Sequence, residues 1–148
     1  MAEAVTTQAF VSTLGLIGIK TSRGRTGRDS LVKLAAHAVP YRALERLSRT
    51  LEIEPAHLID IIGLSERTAA RRRKEKFLKP EEADRLLRVA RLTEEAARIF
   101  GSVHKASLWL KTSHPVFGEH TPLSMLSSDA GARAVSDELC RIDYGDFA

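Results

Sequence analysis

Aromatic residues are scarce in this sequence, and cysteine is almost absent. Phenylalanine, tryptophan and tyrosine together make up 5% of the 148 residues, and Cys140 is the single cysteine. So few aromatic rings argue against binding of single-stranded nucleic acid by base stacking. One cysteine excludes an internal disulfide framework and suits a reducing compartment.

Signals for export and for membrane insertion are also missing. The first ten residues contain no lysine or arginine, whereas a signal peptide begins with a positively charged segment. The apolar run at residues 10–19 is much shorter than the roughly 20 residues that a membrane-spanning helix needs. We therefore expect a cytoplasmic protein with no membrane partner.

Motifs for catalysis are absent as well. The sequence has no glycine-rich phosphate loop, no nucleophile elbow and no G-x-G-x-x-G fingerprint. His114 and His120 flank a loop and form a conceivable metal set with Cys140, but zinc ligands normally come in more closely spaced pairs. We expect polar surface histidines, a buried or half-buried inert thiol at Cys140, and no catalytic residue, metal or cofactor.

Charge is distributed unevenly along the chain. Residues 65–79 carry seven lysines and arginines against two acids, a net charge of +5. Residues 1–64 have a net charge of +2 and residues 80–148 of −3, and residues 119–148 hold six acids against two arginines. A basic centre followed by an acidic C-terminal part suggests two different partners, one polyanionic and one electropositive.

The hydrophobic pattern is helical. Apolar residues recur mostly at helical spacing and strand signals are nearly absent, so we predict an all-α helical bundle. The predicted helices cover residues 29–39, 41–51, 55–62, 65–77, 80–101, 102–114 and 128–145, with a short helix opened by Thr121-Pro122. Residues 93–101 either continue the helix before them or restart it. Residues 20–29 are predicted to be a solvated linker or a phosphate-contacting arm.

A helix-turn-helix pattern lies in the middle of the chain. Pro55 suits a first helical position, Gly63 suits the left-handed residue after a helix end, and Ser65 suits an N-cap. Two helices joined by a glycine-containing turn of this length typically place the second helix in the major groove of DNA.

The second helix of this unit carries a basic stripe. Arg67, Arg71 and Lys74 fall on one face, where they are within reach of base edges. The residues expected within reach of phosphates flank the stripe: Arg72, Arg73 and Lys76. A solvated basic face of a structural helix fits the same pattern. Two positions depart from the usual motif, because Ile59 replaces a small residue and Arg72 replaces an inward aliphatic one. Either the helix sits at another angle, or Arg72 lays its methylene stem on the core.

Five short motifs follow one another between residues 40 and 148. They are S-x-R-T-x-x-R-R, P-E-E-x-D-R-L, A-x-x-W-L, T-P-L and a terminal Y-G. Their positions are Ser65, Arg67, Thr68, Arg71 and Arg72; Pro80 to Leu86; Ala106, Trp109 and Leu110; Thr121 to Leu123; and Tyr144-Gly145. In this combination and order the sequence resembles the Xre/MbcA/ParS family of antitoxins. Residues 1–39 carry no such pattern.

This resemblance implies a bacterial type II antitoxin. Its helix-turn-helix would bind operator duplex DNA and repress its own operon. Its C-terminal helical part would block a RES-domain toxin, which degrades NAD⁺ or uses it for ADP-ribosylation. We then expect a variable N-terminal segment at 1–29, a DNA-binding and dimerisation region at 30–92, and a toxin-binding domain at 93–148. The DNA-contact candidates are Ser65, Arg67, Thr68, Arg71, Arg72, Arg73 and Lys74.

Two other functions stay open on the residues alone. One is a stand-alone helix-turn-helix transcription regulator with a C-terminal dimerisation or sensing module, and the other is an RNA-binding protein that uses the basic helix. A reader of operator half-sites is expected to be a homodimer. We place the pairing surface on the helices between Pro80 and Trp109.

The C-terminal end is predicted to block the active site of the toxin. Gly145 ends the last helix, and Asp143, Asp146 and the terminal carboxylate place negative charge around Tyr144 and Phe147. An NAD⁺ pocket must hold a pyrophosphate and a flat ring, so carboxylates beside aromatic rings can occupy it. The alternative is that both rings fold back on the core. The toxin-binding candidates are Arg141, Asp143, Tyr144, Gly145, Asp146, Phe147 and Ala148.

Overall fold

The computed structural model describes Gly15, Ile17, Gly18 and residues 39–145. Most of the N-terminal segment, including the linker or arm predicted at residues 20–29, therefore lies outside the described residues. So do the helix predicted before Pro40 and the last three residues of the C-terminal prediction, Asp146, Phe147 and Ala148.

Seven α-helices lie between residues 39 and 145. They are α1 (Tyr41–Thr50), α2 (Pro55–Ile61), α3 (Glu66–Glu75), α4 (Pro80–Phe100), α5 (Val103–Lys111), α6 (Pro122–Met125) and α7 (Asp129–Asp143), with a 3-10 turn at Pro115–Phe117. In this part of the chain the one extended pairing is a single antiparallel bridge between Pro40 and Phe77. The all-α prediction is confirmed. None of these seven helices is long and apolar enough to cross a membrane.

Local capping explains where several helices start. Ser65 Oγ accepts a hydrogen bond from the Thr68 backbone N–H at 3.1 Å, which satisfies one of the free N–H groups in the first turn of α3. Thr121 caps α6 in the same way, 3.1 Å from the Ser124 nitrogen. Pro80 occupies the first position of α4. These three predicted starts are confirmed, because a cap depends only on residues close in sequence.

Helix α4 runs unbroken through Thr93. Its 21 residues end at Phe100, and Gly101 follows with a φ of 86° in the left-handed region. Thr93 is buried and donates its hydroxyl hydrogen to the Val89 carbonyl oxygen at 2.8 Å, so it lies inside the helix and not at a new start. Residues 93–101 therefore continue the helix.

One hydrophobic core joins the two halves of the described chain. Leu44 of α1 belongs to the same buried cluster as Leu110 of α5. Helix α4 adds buried side chains along its length, from Ala83 to Ala96. The boundary expected between residues 92 and 93 falls inside α4, so the two regions share one helix and one core.

A buried polar contact also ties α5 to α1. Ser107 donates its hydroxyl hydrogen to the Leu51 carbonyl oxygen at 2.6 Å, and both residues are buried. A carbonyl at the C-terminal end of a helix has no partner within that helix. The serine therefore satisfies a group that burial would otherwise leave unpaired.

Candidate functional site

Helices α2 and α3 meet at a tight turn, as predicted. Gly63 has a φ of 72°, and the Leu64 N–H donates to the Ile59 carbonyl oxygen at 3.0 Å. Leu64 is buried and anchors the turn in the core. Ile59 is half-buried against the same core, so the turn accommodates the larger residue. Arg85 of α4 donates to a carbonyl at the end of α2 at 3.2 Å, which braces the turn from outside.

Three cations of α3 share one solvent-facing side. Arg67, Arg71 and Lys74 are all exposed. Their spacing of four and three residues places them on a single helix face. The two buried residues of α3, Ala69 and Arg72, lie on the opposite side. The helix therefore presents a compact cationic face, which we call the basic face (Arg67, Arg71 and Lys74).

The neighbouring candidates at the basic face already have partners within the protein. Ser65 Oγ lies 2.9 Å from Thr68 Oγ1 and donates to it, in addition to capping α3. Arg73 Cζ lies 5.7 Å from the centroid of the Tyr41 ring. Its Nη2 lies 3.7 Å from Glu45 Oε1, while the side chain stays 65% exposed. Contacts with α1 thus orient the side chain of Arg73, which remains accessible to solvent.

Arg72 does not lie on the exposed side of α3. Its side chain is 3% exposed, and its Nε donates to both carboxylate oxygens of Glu82, at 3.1 and 2.8 Å. Its Nη1 donates to Glu75 Oε2 at 2.7 Å. The prediction that Arg72 reaches DNA phosphates is therefore wrong, because its guanidinium points inward and is paired with acids. Two alternatives were given for this position, a different helix angle or an inward-lying Arg72. The structure shows the inward-lying arginine, which also forms an ion pair.

Glu82 completes this buried network at the N-terminus of α4. Its Oε2 also accepts the Lys79 backbone N–H at 2.8 Å. Burial acts to raise the pKa of Glu82, but the hydrogen bonds from Arg72 and from the Lys79 N–H outweigh it and leave the pKa below its ordinary value. The hydrogen bond to Glu82 raises the pKa of Arg72 above its ordinary value. The two side chains are therefore an ion pair at neutral pH.

Trp109 is at the centre of an aromatic cluster beside α5. Its ring centroid lies 5.5 Å from that of Phe100, 5.2 Å from that of His114 and 6.3 Å from that of Phe117. His114 Nε2 also lies 3.0 Å from the Trp109 carbonyl oxygen. The expectation of a polar surface histidine therefore fits His120, which is exposed, better than the half-buried His114.

Cys140 is exposed on α7, so the expectation of a buried or half-buried thiol is wrong. Val135 and Leu139 face the core, and Cys140 is turned about 100° from Leu139 around the helix axis. Among the described residues, no group of three or more His, Cys, Asp or Glu side chains is placed to hold a metal ion.

Two ion pairs lie in the last turns of α7. Asp143 Oδ2 accepts a hydrogen bond from Arg98 Nη2 of α4 at 2.9 Å, and Arg141 Nη1 lies 3.1 Å from Glu138 Oε2. The bond to Asp143 raises the pKa of Arg98 above its ordinary value. Asp143 therefore carries a charge that is already partly balanced by α4.

Tyr144 projects from the end of α7 into solvent. Its side chain is 85% exposed, and Gly145 follows with a φ of 69°. Tyr144 does not fold back on the core, so that alternative does not hold for this ring. Asp146, Phe147 and Ala148 lie outside the described residues.

The partners of two candidate residues, Arg72 and Asp143, were not predicted from the sequence. Glu82 lies in the predicted first turn of α4, where an acid next to a helix start was a visible but unspecific signal. Arg98 gave no signal, because 45 positions separate it from Asp143.

Two protein-family models match the chain. Residues 30–91 match the antitoxin Xre-like helix-turn-helix domain, and residues 95–145 match the antitoxin Xre/MbcA/ParS C-terminal toxin-binding domain. The first range contains the turn at Gly63 and the basic face. The second contains the Trp109 cluster and Tyr144.

Three bacterial proteins, each named Antitoxin Xre, are similar to this chain. The one from Yersinia enterocolitica is 29% identical over 134 residues, which is 89% of this chain and 88% of the relative. The one from Photorhabdus laumondii is 29% identical over 132 residues, 87% of this chain and 86% of the relative. The one from Pseudomonas putida is 37% identical over 65 residues, 44% of this chain and 41% of the relative. The first two similarities extend across both matched domains.

Proposed function

We propose that this chain is an antitoxin of the Xre/MbcA/ParS family that neutralises a RES-domain toxin and represses its own operon, because residues 30–91 match an antitoxin Xre-like helix-turn-helix domain and residues 95–145 an antitoxin C-terminal toxin-binding domain. The RES assignment rests on the motifs between Ser65 and Gly145. Such a toxin degrades NAD⁺ or transfers its ADP-ribose. The observation that carries the proposal is the pair of exposed features on different helices, a basic face on α3 and a bare tyrosine after α7.

Helix α3 supplies the operator contacts in this proposal. Arg67 and Arg71 are exposed on one face, and an arginine can bind the O6 and N7 atoms of guanine in bidentate fashion. Lys74 extends the same face. In this proposal Ser65 and Thr68 at the helix N-terminus, together with Arg73, contact phosphates, which fix the register of a protein on DNA.

The end of α7 supplies the toxin contacts. Tyr144 is 85% exposed, and large exposed aromatic side chains commonly dominate the binding energy of an interface. Arg141, Asp143 and Gly145 are close to it in the sequence. We propose that residues 146–148 follow it into the NAD⁺ pocket, where the Asp146 carboxylate forms charge-assisted hydrogen bonds with the groups that hold the pyrophosphate. Docking of α7 would raise the local concentration of this tail at the pocket.

The proposed assembly is a homodimer. One helix-turn-helix per subunit reads one half-site, and a single module of this size buries too little surface for nanomolar specificity. Light scattering at micromolar concentration, with and without operator DNA, measures the oligomeric state directly. A monomer under both conditions rules the dimer out.

Two variants separate the two proposed activities. In the first, Arg67, Arg71 and Lys74 are all changed to alanine, and we expect operator affinity to fall roughly 100-fold while toxin neutralisation is kept. In the second, Tyr144→Ala is combined with deletion of residues 146–148, and we expect the reverse. Operator binding is measured by gel shift, and neutralisation by rescue of cells that express the neighbouring gene product.

A matched control removes the same charge at the same spacing from another helix. Arg42, Arg46 and Arg49 of α1 are also exposed, and changing all three to alanine should weaken DNA binding only through the net charge. Equal loss of operator affinity in both triple variants contradicts sequence reading by α3. Full rescue by the Tyr144 variant contradicts the proposed blocking of the NAD⁺ pocket by the C-terminal end. Tighter binding of single-stranded RNA than of duplex DNA contradicts the proposed binding of operator DNA.

A further inference from the structure

Very little apolar packing holds α3 on the rest of the protein. Of its ten residues only Ala69 and Arg72 are buried, and Ala69 contributes a single methyl group. Leu64 and Leu78 are buried on either side of the helix and hold its ends. Hydrophobic contact is non-directional, so these contacts leave rotation of α3 about its own axis weakly defined.

The side chain of Arg72 supplies the missing direction. It donates from Nε to both oxygens of Glu82 and from Nη1 to Glu75. Glu82 is itself held by the Lys79 backbone N–H at 2.8 Å. The bonds therefore connect the middle of α3 to the first turn of α4. Among the described residues no buried side-chain polar atom lacks a hydrogen-bond partner, so each buried polar atom of this network has one.

A buried ion pair is a poor way to gain stability, because desolvation offsets most of the attraction between the charges. Apolar residues of similar size are often as good or better, whereas the best-attested use of buried polar groups is to specify register. An aliphatic residue at position 72 would have anchored α3 to the core. The arginine adds what an aliphatic residue lacks, a fixed orientation.

We propose that Arg72, through Glu82, is a positioning residue that sets the rotation of α3 and so determines which side chains of the basic face meet base edges. This role rests on the proposed operator binding. A rotation of about 20° moves atoms at the helix surface, about 5 Å from the axis, by roughly 2 Å. Hydrogen bonds tolerate only about 0.5 Å. Small rotations therefore alter base contacts while contacts to phosphates survive.

The test replaces the ion pair by an apolar pair. Arg72→Met combined with Glu82→Leu leaves the net charge unchanged and is measured in the full chain. The probe is a duplex that the wild-type protein selects from a random pool, compared with a scrambled duplex of equal composition. We expect the ratio of the two affinities to fall roughly tenfold, with helicity and the salt dependence of binding unchanged.

The matched control is Arg88→Met combined with Asp129→Asn. This pair also joins α4 to another helix, α7, and its replacement is also charge-neutral. We expect the control to keep the affinity ratio. A merely structural role for Arg72 predicts a different pattern, in which affinity for both duplexes falls together and the ratio stays constant.

A second variant keeps the test decisive if the apolar pair does not fold. Arg72→Lys retains the charge but lacks the planar guanidinium that bonds to Glu82 and Glu75 at once, and it should also lower the affinity ratio. If a folded variant keeps the wild-type ratio of affinities for the selected and scrambled duplexes, the positioning role is overturned. Operator binding itself is then unaffected. If the wild-type protein selects no sequence from the pool, operator binding fails and the positioning role fails with it.

Discussion

Three adjacent arginines of α3 meet three different environments. Arg71 is exposed on the basic face, Arg72 is buried against Glu82, and Arg73 lies over the ring of Tyr41. Neighbouring residues of a helix point about 100° apart, so a run of like residues is spread around the axis. The three arginines are adjacent in the sequence but separate in the structure. Only the exposed ones, Arg71 and Arg73, can belong to a DNA-binding surface.

Glu82 is expected to make the stability of the fold depend on pH on the acid side. Its pKa in the folded protein lies below the ordinary value. The stabilisation is therefore present above the pKa of the unfolded chain and is lost as pH falls through the folded pKa. At pH 7, Glu82→Gln removes the buried one of the two acids that pair with Arg72 and leaves only Glu75, which should lower Tm by roughly 10 °C. The deficit should shrink from about pH 5 downward, because Glu82 is protonated first in the unfolded chain and only at lower pH in the folded protein.

Thermal melting followed by circular dichroism at several pH values measures this difference. The control is Glu81→Gln, an exposed acid in the same first turn of α4, which should melt close to the wild type throughout. A deficit for Glu82→Gln that stays constant from pH 7 to the acid end contradicts the assigned role of Glu82.

Helix limits were predictable wherever their signals are local. Gly63, Ser65 and Gly101 mark ends and starts through their own backbone angles or side chains, and the structure has each where the sequence indicated. The burial of Arg72 was not predictable in the same way, because it depends on how α4 packs against α3. The pairing of Asp143 with Arg98 of α4 could not be predicted from the sequence for the same reason. Side-chain environments that depend on a distant element leave no local pattern.

The contact between α6 and α7 is closer than a side chain at Gly131 would allow. A Cβ atom at this position would lie 1.9 Å from the Met125 carbonyl oxygen. Helix propensity alone favours alanine over glycine by about 1 kcal/mol within a helix. At this position the backbone of another element occupies the space, so packing and propensity oppose each other.

We expect Gly131→Ala to destabilise the protein by roughly 1–3 kcal/mol, because overpacking outweighs the gain in propensity. Urea unfolding at fixed protein concentration measures the change. Ala130→Gly is the control at the exposed neighbouring position, where only propensity acts and the loss should be about 1 kcal/mol. A more stable Gly131→Ala protein would show that α6 moves away from α7 at little cost.

At the scale of the whole molecule, the two functional regions share one core. Leu44 in the first region and Leu110 in the second belong to the same buried cluster, and α4 crosses the boundary between them. Two sequence motifs with separate roles are therefore not two separate folding units. The operator surface and the toxin surface are expected to form and to unfold together.

Trp109 allows this cooperativity to be measured. It is the only tryptophan, and it lies in the C-terminal region, whereas Leu44 is fully buried in α1. Leu44→Ala should cost about 2–5 kcal/mol. With a typical urea dependence of about 2 kcal/mol per molar, the midpoint should fall by roughly 1–2.5 M. If the core is one unit, Trp109 fluorescence and circular dichroism report this same shift, although the mutation is in the other region.

The control is Leu108→Ala. Leu108 lies next to the probe but is half-exposed, so this change should leave both midpoints nearly unchanged. A fluorescence transition that ignores Leu44→Ala while the circular dichroism transition shifts would mean that the C-terminal region folds on its own.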